Sequence, residues 1–432
     1  MKKEKRLGLA LSGGGYRAAA FHLGTLNKLA ELNILDDVDV LSTISGGSIT
    51  GTAYCLHKGD YQSFHSYMKE RIRTRNVIKL VLLSRSAFQL FLFILFFLGA
   101  SIWLLFTAWA PLSLVVLALM IFLLLKFQFL IFPVSKEIEK AYDKFFYNGK
   151  TLSDLNEKPV LIIGSSNLQS GRPFSFSGTR MSDSTYSNFK PPIYFRHESF
   201  PISKAVMASS CVPFAFTPIS IAKEYFEKPD YADRINPQLV DGGVYDNQGI
   251  QKITQHKSSY ECDVIITSDA GGPLSSGISF RNTISLLIRT VDVFMYRIKT
   301  MQMVEHVYQN VIEKNKPIAY FSLGWEIKKL IPGFIENMKK GLVLPAVLAT
   351  HNLKPEWIES PHIFKDEIQK YLENKTDYEL IYTRNLTEDE WKLARGTGTN
   401  LTSLPKKRID CLIRHAENLT ELQVKLYCPS IL

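Results

Sequence analysis

The 432-residue sequence is poor in cysteine, with only Cys55, Cys211, Cys262, Cys411 and Cys428. The count is odd, the spacing is wide, and no Cys-x-x-Cys pair occurs. A disulfide framework and a zinc site are therefore not expected, and a reducing compartment suits the chain. No His-Glu-x-x-His occurs, and the nine histidines show no ligand spacing, so neither a metal nor another cofactor is expected. Internal repeats and low-complexity linkers are also missing. The largest absence is of charge: from Ser86 to Leu125, between Arg85 and Lys126, no ionisable Asp, Glu, Lys or Arg occurs over 40 positions.

A helix of ~20 residues crosses the ~30 Å hydrocarbon core of a bilayer. The uncharged run thus has room for two crossings, with Ala110-Pro111 a natural turn near its middle. A re-entrant hairpin and a buried helical pair are the other readings of the same residues. Lys69, Arg71, Arg73, Arg75, Lys79 and Arg85 crowd before the run, and Lys126, Lys136 and Lys140 follow it. Both clusters fall on one side, which the positive-inside tendency makes cytoplasmic. The formal net charge of +10 suits an anionic partner. Its concentration beside the apolar run favours an anionic membrane surface over nucleic acid. The basic start before Leu7–Leu11 imitates a signal peptide, but that apolar stretch is too short and reads as a buried first strand.

The rest alternates between strands and helices. Leu7–Leu11 and Val38–Ile44 read as strands, each followed by glycines and a helix, the first helix over Ala18–Leu32. Pro159–Gly164, Gln238–Val240 and Cys262–Thr267 read as further strands, and Asn282–Asn315 as a long helix. This order predicts an α/β fold with a mostly parallel sheet and helices on its faces. Sites in such sheets lie at the carboxyl ends of the strands.

Three of those ends carry chemistry. Gly13-Gly14-Gly15 follows the first strand and points backbone N–H groups into one space, for a phosphate or for an oxyanion. No Walker lysine follows, and Ala18 stands where a dinucleotide fingerprint would end in glycine. Asp39 to Ser48 runs a strand into Ser45-Gly46-Gly47-Ser48, the layout of a nucleophile elbow. Around Ser45 the first glycine of Gly-x-Ser-x-Gly is replaced by Thr43; around Ser48 the second is replaced by Thr50. Asp241-Gly242-Gly243 ends a third strand with a carboxylate able to orient or deprotonate a serine.

Taken together and in order, these elements resemble the patatin-like phospholipase family. Leu11 to Ala18 looks like its glycine-rich loop with arginine, and Asp39 to Ser48 like its nucleophile strand. Ala208 to Pro218 looks like the segment before its catalytic strand, and Leu239 to Asn247 like its Asp-Gly-Gly motif. The resemblance covers roughly residues 7–60 and 155–275. It implies a three-layer α/β/α sandwich and a Ser45–Asp241 dyad without histidine, Ser45 being preferred to Ser48. It further implies an oxyanion hole from Gly13, Gly14 and Gly15, and a substrate-binding or loop-fixing role for Arg17.

The expected organisation is a first catalytic part over 1–85, a transmembrane hairpin over 86–133, a second catalytic part over 134–334 and a helical C-terminal extension over 335–432. The expected function is a membrane-associated lipid acyl hydrolase, its catalytic domain on the cytoplasmic side, acting on membrane phospholipid with no nucleic-acid partner. Homo-oligomers are compatible with it. An acyltransferase, a catalytically silent anchored scaffold and a triggered membrane-damaging effector share the same sequence features.

Overall fold

A computed structural model describes residues 5–272, 282–310 and 315–432. The centre is a mixed nine-stranded sheet. Its parallel core runs β3 (Val160–Asn167), β2 (Val38–Ile44), β1 (Leu7–Leu11), β8 (Val264–Asp269), β9 (Ile318–Ser322). Antiparallel strands extend it beyond β3: β4 (Arg172–Phe176) and β5 (Met181–Asp183) continue one path, while β7 (Gln238–Asp241) also pairs with β3 and carries β6 (Ile219–Ser220). The strand that ends in Asp241 is thus antiparallel to its neighbour β3, not one of the parallel series.

Side chains alternate across a strand, so each strand feeds two cores. Leu9, Leu11 and Leu41 join the large cluster that holds α1 (Gly15–Glu31), α2 (Gly46–Leu56) and a C-terminal helix, Lys406–Tyr427. Ala10, Val40, Ile162, Ile265 and Ile318 face the opposite way, against Ile253, Met303 and Val307. Helices therefore cover both faces, as the three-layer expectation requires. The helix expected from Asn282 runs over Thr283–Met303 and widens into a π-type turn, Val304–Tyr308. Residues 311–314 of that expectation lie outside the described residues.

The C-terminal region is more deeply integrated than the word extension implies. Its helix Lys406–Tyr427 lies along α1 so closely that a Cβ on Gly24 would stand 2.3 Å from the Ile413 carbonyl oxygen. Glu421 pairs with Lys28 at 3.1 Å and with Arg384 at 2.7 Å. Removing this helix would strip one face of α1 to solvent.

The uncharged run forms two helices long and apolar enough to cross a membrane. After α3 (Tyr61–Thr74) and α4 (Val77–Leu82) come α5 (Arg85–Leu105) and α6 (Leu112–Ile131), joined by a turn across Phe106 to Pro111. Ser101 Oγ donates to the Ser113 carbonyl at 3.1 Å, stitching the pair near its tip. Large side chains such as Phe96, Trp103, Leu114 and Leu125 are exposed. Soluble proteins rarely expose so continuous an apolar surface. At the base, Ser86 Oγ donates to Glu137 Oε1 at 2.8 Å, binding the start of α5 to α7 (Val134–Tyr142). Chain exit and re-entry are therefore neighbours. In the basic cluster before the hairpin, Lys69 and Arg73 are paired with Asp410 and Glu70, whereas Lys79 and Arg85 have no ion pair among the described residues.

Candidate active site

The carboxyl ends of β1 and β2 lie side by side, Leu11 opposite Thr43. The chain leaves β2 through Ser45 with φ 48° and ψ −115°, a conformation L-residues rarely adopt. Such strain persists only where the surroundings over-determine it. Here the Ser45 N–H donates to Ser209 Oγ at 2.9 Å. The Ser45 carbonyl caps α2 by accepting from the N–H of Ser48 at 2.9 Å. The glycines after Ser45 are required by contact: a Cβ on Gly46 would stand 2.2 Å from Gly15 O, and one on Gly47 2.4 Å from Leu11 O.

Ser48 differs from Ser45 in its surroundings. It is fully buried, donating to Thr43 Oγ1 at 3.1 Å and sharing a hydrogen bond with Ser209 Oγ at 2.9 Å. Thr43, the residue in the place of a family glycine, donates to the Ile162 carbonyl at 2.9 Å. Its methyl points at α2, where Gly51 leaves room for it.

Asp241 ends β7 across from Ser165 of β3. The segment Ser209 to Cys211 bridges the two halves of the site. Cys211 O accepts the Asp241 N–H at 2.8 Å, and Ser209 O accepts the Gly242 N–H at 3.1 Å. The buried Asp241 carboxylate takes the Gly243 N–H at 2.7 Å, and the Ser45 side chain lies close enough to favour its charged form. Burial pushes its pKa up to about 6, and the Gly243 N–H and the Ser45 side chain oppose the shift. Ser45 and Asp241, 196 positions apart in sequence, thus meet.

The three glycines of the first loop differ. The Gly13 N–H is taken by the Asn247 carbonyl at 3.0 Å, so Gly13 shapes the loop and does not offer a donor. The N–H groups of Gly14 and Gly15 have no acceptor among the described residues. Both have positive φ, 141° and 57°. Gly13 lies directly over the serine, since a Cβ there would stand 3.2 Å from Ser45 Cβ.

The loop is clamped from the C-terminal region: Tyr16 N–H donates to Asn400 O at 2.9 Å and Arg17 Nη1 to Thr397 O at 3.2 Å. Burial lowers the pKa of Arg17, while Asp269 works against that shift. Arg17 Nε has no partner among the described residues. The contributions of Ser209, Gly51 and Asn400 were not read from sequence. Ser209 and Asn247 at least fall inside recognisable segments; Thr397 and Asn400 carry no local signal.

His22 is the histidine of this neighbourhood, and it is fully engaged. Its ring nitrogens contact Ser268 Oγ and Ser12 O, both at 2.9 Å, and burial draws its pKa down to about 4. It holds β1 to β8 and leaves no nitrogen for Ser45. No group of three or more metal-ligating side chains occurs among the described residues.

Sheet, glycine loop and elbow together define an α/β enzyme of the kind that cleaves lipid esters. The profile of the patatin-like phospholipase family matches residues 9–251, and the chain belongs to that family. No curated protein matches the chain. Among solved structures it is similar to VipD from Legionella pneumophila, at 12% identity and a TM-score of 0.33, covering 91% of this chain and 83% of VipD. It is also similar to human GIVD cytosolic phospholipase A2, at 12% identity and a TM-score of 0.46, covering 99% of this chain and 62% of that one. ExoU of Pseudomonas aeruginosa, in complex with SpcU, shares 15% identity at a TM-score of 0.25, covering 97% and 70% of the two chains.

Proposed function

We propose that the protein is a membrane-anchored serine lipid acyl hydrolase working through a Ser45–Asp241 dyad. The observation that carries this reading is the placement of the strained Ser45 beside the buried Asp241 carboxylate, close enough to lower its pKa. Asp241 takes the hydroxyl proton as Ser45 Oγ attacks an ester carbonyl. The N–H groups of Gly14 and Gly15, at the positive end of α1, stabilise the resulting oxyanion. Collapse of the intermediate returns the proton to the leaving alcohol and leaves an acyl-serine. Water, deprotonated by Asp241, then attacks the acyl-serine, releases the fatty acid and restores Ser45. Buried Ser48 supports the elbow.

The hairpin α5–α6 spans the bilayer, with its basic base on the cytoplasmic leaflet beside the catalytic domain. An ester then needs little exposure to water on its way to Ser45; each CH₂ kept from water is worth roughly 0.8 kcal/mol. The test is fatty-acid release from phospholipid vesicles by detergent-purified protein and its Ser45→Ala, Ser48→Ala and Asp241→Asn variants. Release by wild type and Ser48→Ala alone supports the dyad. Loss in Ser48→Ala alone would move the nucleophile and sink it. A wild type that neither releases acid nor reacts with a fluorophosphonate probe would leave a silent scaffold.

A further inference from the structure

The carboxyl edge of the sheet also holds a hollow of about 190 Å³, on the far side of the glycine loop from Asp241. Gly271, Tyr296, Lys299, Ser322, Trp325 and Arg395 contribute to its wall, and no aspartate or glutamate lines it among the described residues. The charge around it is unbalanced. Lys299 Nζ lies 2.5 Å from Oδ2 of the fully buried Asp269, whose pKa is lowered chiefly by Lys299 against its burial. Tyr320 and the Gly271 N–H complete that carboxylate, each at 2.8 Å. Asp269 is thereby spent on holding Lys299 in place.

Arg395 stacks on Trp391, 4.9 Å from the ring centroid, and has no carboxylate partner among the described residues. Arg17 stands just behind the wall, its Nη1 3.9 Å from where a Cβ on Gly272 would be, with its Nε unpaired. Among the described residues, three cations thus stand in or just behind the wall of the hollow against one carboxylate.

Position fits substrate use. Thr43 is opposite Leu11, Leu11 opposite Ser268, and Asp269 opposite Ser322. The nucleophile strand and the hollow are therefore three strand spacings apart, about 14 Å at ~4.8 Å each. That is the scale of the polar end of a glycerophospholipid stretched away from its scissile ester, with Arg17 between.

We propose that this hollow takes an oxyanion carried on the headgroup beyond the glycerol phosphate, so that acidic headgroups are preferred. The inference rests on the acyl-hydrolase reading of Ser45 and Asp241. Its test uses the full-length protein in neutral detergent, with Arg395→Gln and Arg395→Lys. Lysophosphatidylserine, lysophosphatidylcholine and a neutral nitrophenyl ester are the substrates.

Wild type is expected to prefer lysophosphatidylserine. Arg395→Gln should raise its KM about tenfold at unchanged kcat, and Arg395→Lys should recover part of the loss. The other two substrates should not respond. Equal loss on all three substrates, or no loss on any, overturns the proposal.

Calorimetric titration with glycerophosphoserine and with inorganic phosphate needs no turnover. Weaker glycerophosphoserine binding by Arg395→Gln supports the hollow even if no lipid is cleaved, in which case only the hydrolase reading fails. Phosphate binding as tightly as glycerophosphoserine, without discrimination among lipids, would make this a site for free anion and overturn the headgroup assignment.

Discussion

The γ-methyl of Thr43 occupies the space that a side chain on Gly51 would need: a Cβ there would stand 2.6 Å from Thr43 Cγ2. A threonine at the elbow is accommodated because the facing turn of α2 is empty. Alanine favours helix over glycine by about 1 kcal/mol, so Gly51→Ala in isolation should stabilise. Overpacking against Thr43 reverses the sign, and a net loss of about 1–3 kcal/mol is expected. In a double-mutant cycle Thr43→Ala should remove most of that coupling. Denaturant melts of the four proteins measure it; strictly additive changes would show that the contact carries no energy.

Ser209 joins Ser45, Ser48 and β3, donating to Gly164 O at 2.6 Å. Ser209→Ala leaves the Ser45 N–H unpaired at the strained turn. The expected result is a fall in kcat of about ten- to a hundredfold, with KM little changed, on the scale of one lost buried partner. Fluorophosphonate labelling should slow in parallel. Labelling at the wild-type rate would mean that the elbow keeps its shape without this bond.

On the proposed mechanism Asp241 must be ionised to accept a proton, and burial pushes its pKa up to about 6. The pH profile of kcat/KM should therefore rise through about pH 6 to a plateau. Stability should move oppositely. A carboxyl with a raised folded pKa stabilises fully below its unfolded value of 3.8 and loses that contribution as pH climbs through about 6. Asp241→Asn should then be inactive yet more heat-stable than wild type at pH 8, by up to about 3 kcal/mol. A variant less stable than wild type at pH 8 would refute the desolvation account.

The two ends of the hairpin meet at the Ser86–Glu137 bond. Replacing residues 86–131 with a short flexible linker should leave the sheet and dyad intact. Such a protein should stay monodisperse without detergent and keep wild-type kcat on a soluble ester. On bilayer substrate it should lose about a hundredfold through lost local concentration. Unchanged turnover on vesicles would remove the anchoring role.

The local grammar of the site was legible, because short strands ending in glycine or aspartate leave compact signatures. β1 and β2 run over the predicted Leu7–Leu11 and Val38–Ile44. Gly13 was read as one donor of three, but its amide is consumed by Asn247, a long-range contact that spacing cannot reveal. β9 was not foreseen: Ile318–Ser322 is five residues long and fully buried, so it shows no alternation. The polar composition of the C-terminal region leaves its role open between cover for the sheet edge, a lid and a partner site. Its buried stripe on Lys406–Tyr427 completes the cover of α1, and Asn400 closes the glycine loop from a distance of 384 positions.

The place of α5 and α6 in the chain has a consequence for biosynthesis. Ser45 precedes the hairpin and Asp241 follows it. During synthesis the serine therefore emerges first, then both apolar helices, and the carboxylate only afterwards. A chain stopped anywhere before β7 carries an elbow without the proposed base, and Asn400 arrives later still. On the proposed mechanism, hydrolytic competence is thus withheld until the hairpin has been made, which separates delivery of the protein to lipid from its first opportunity to cut it.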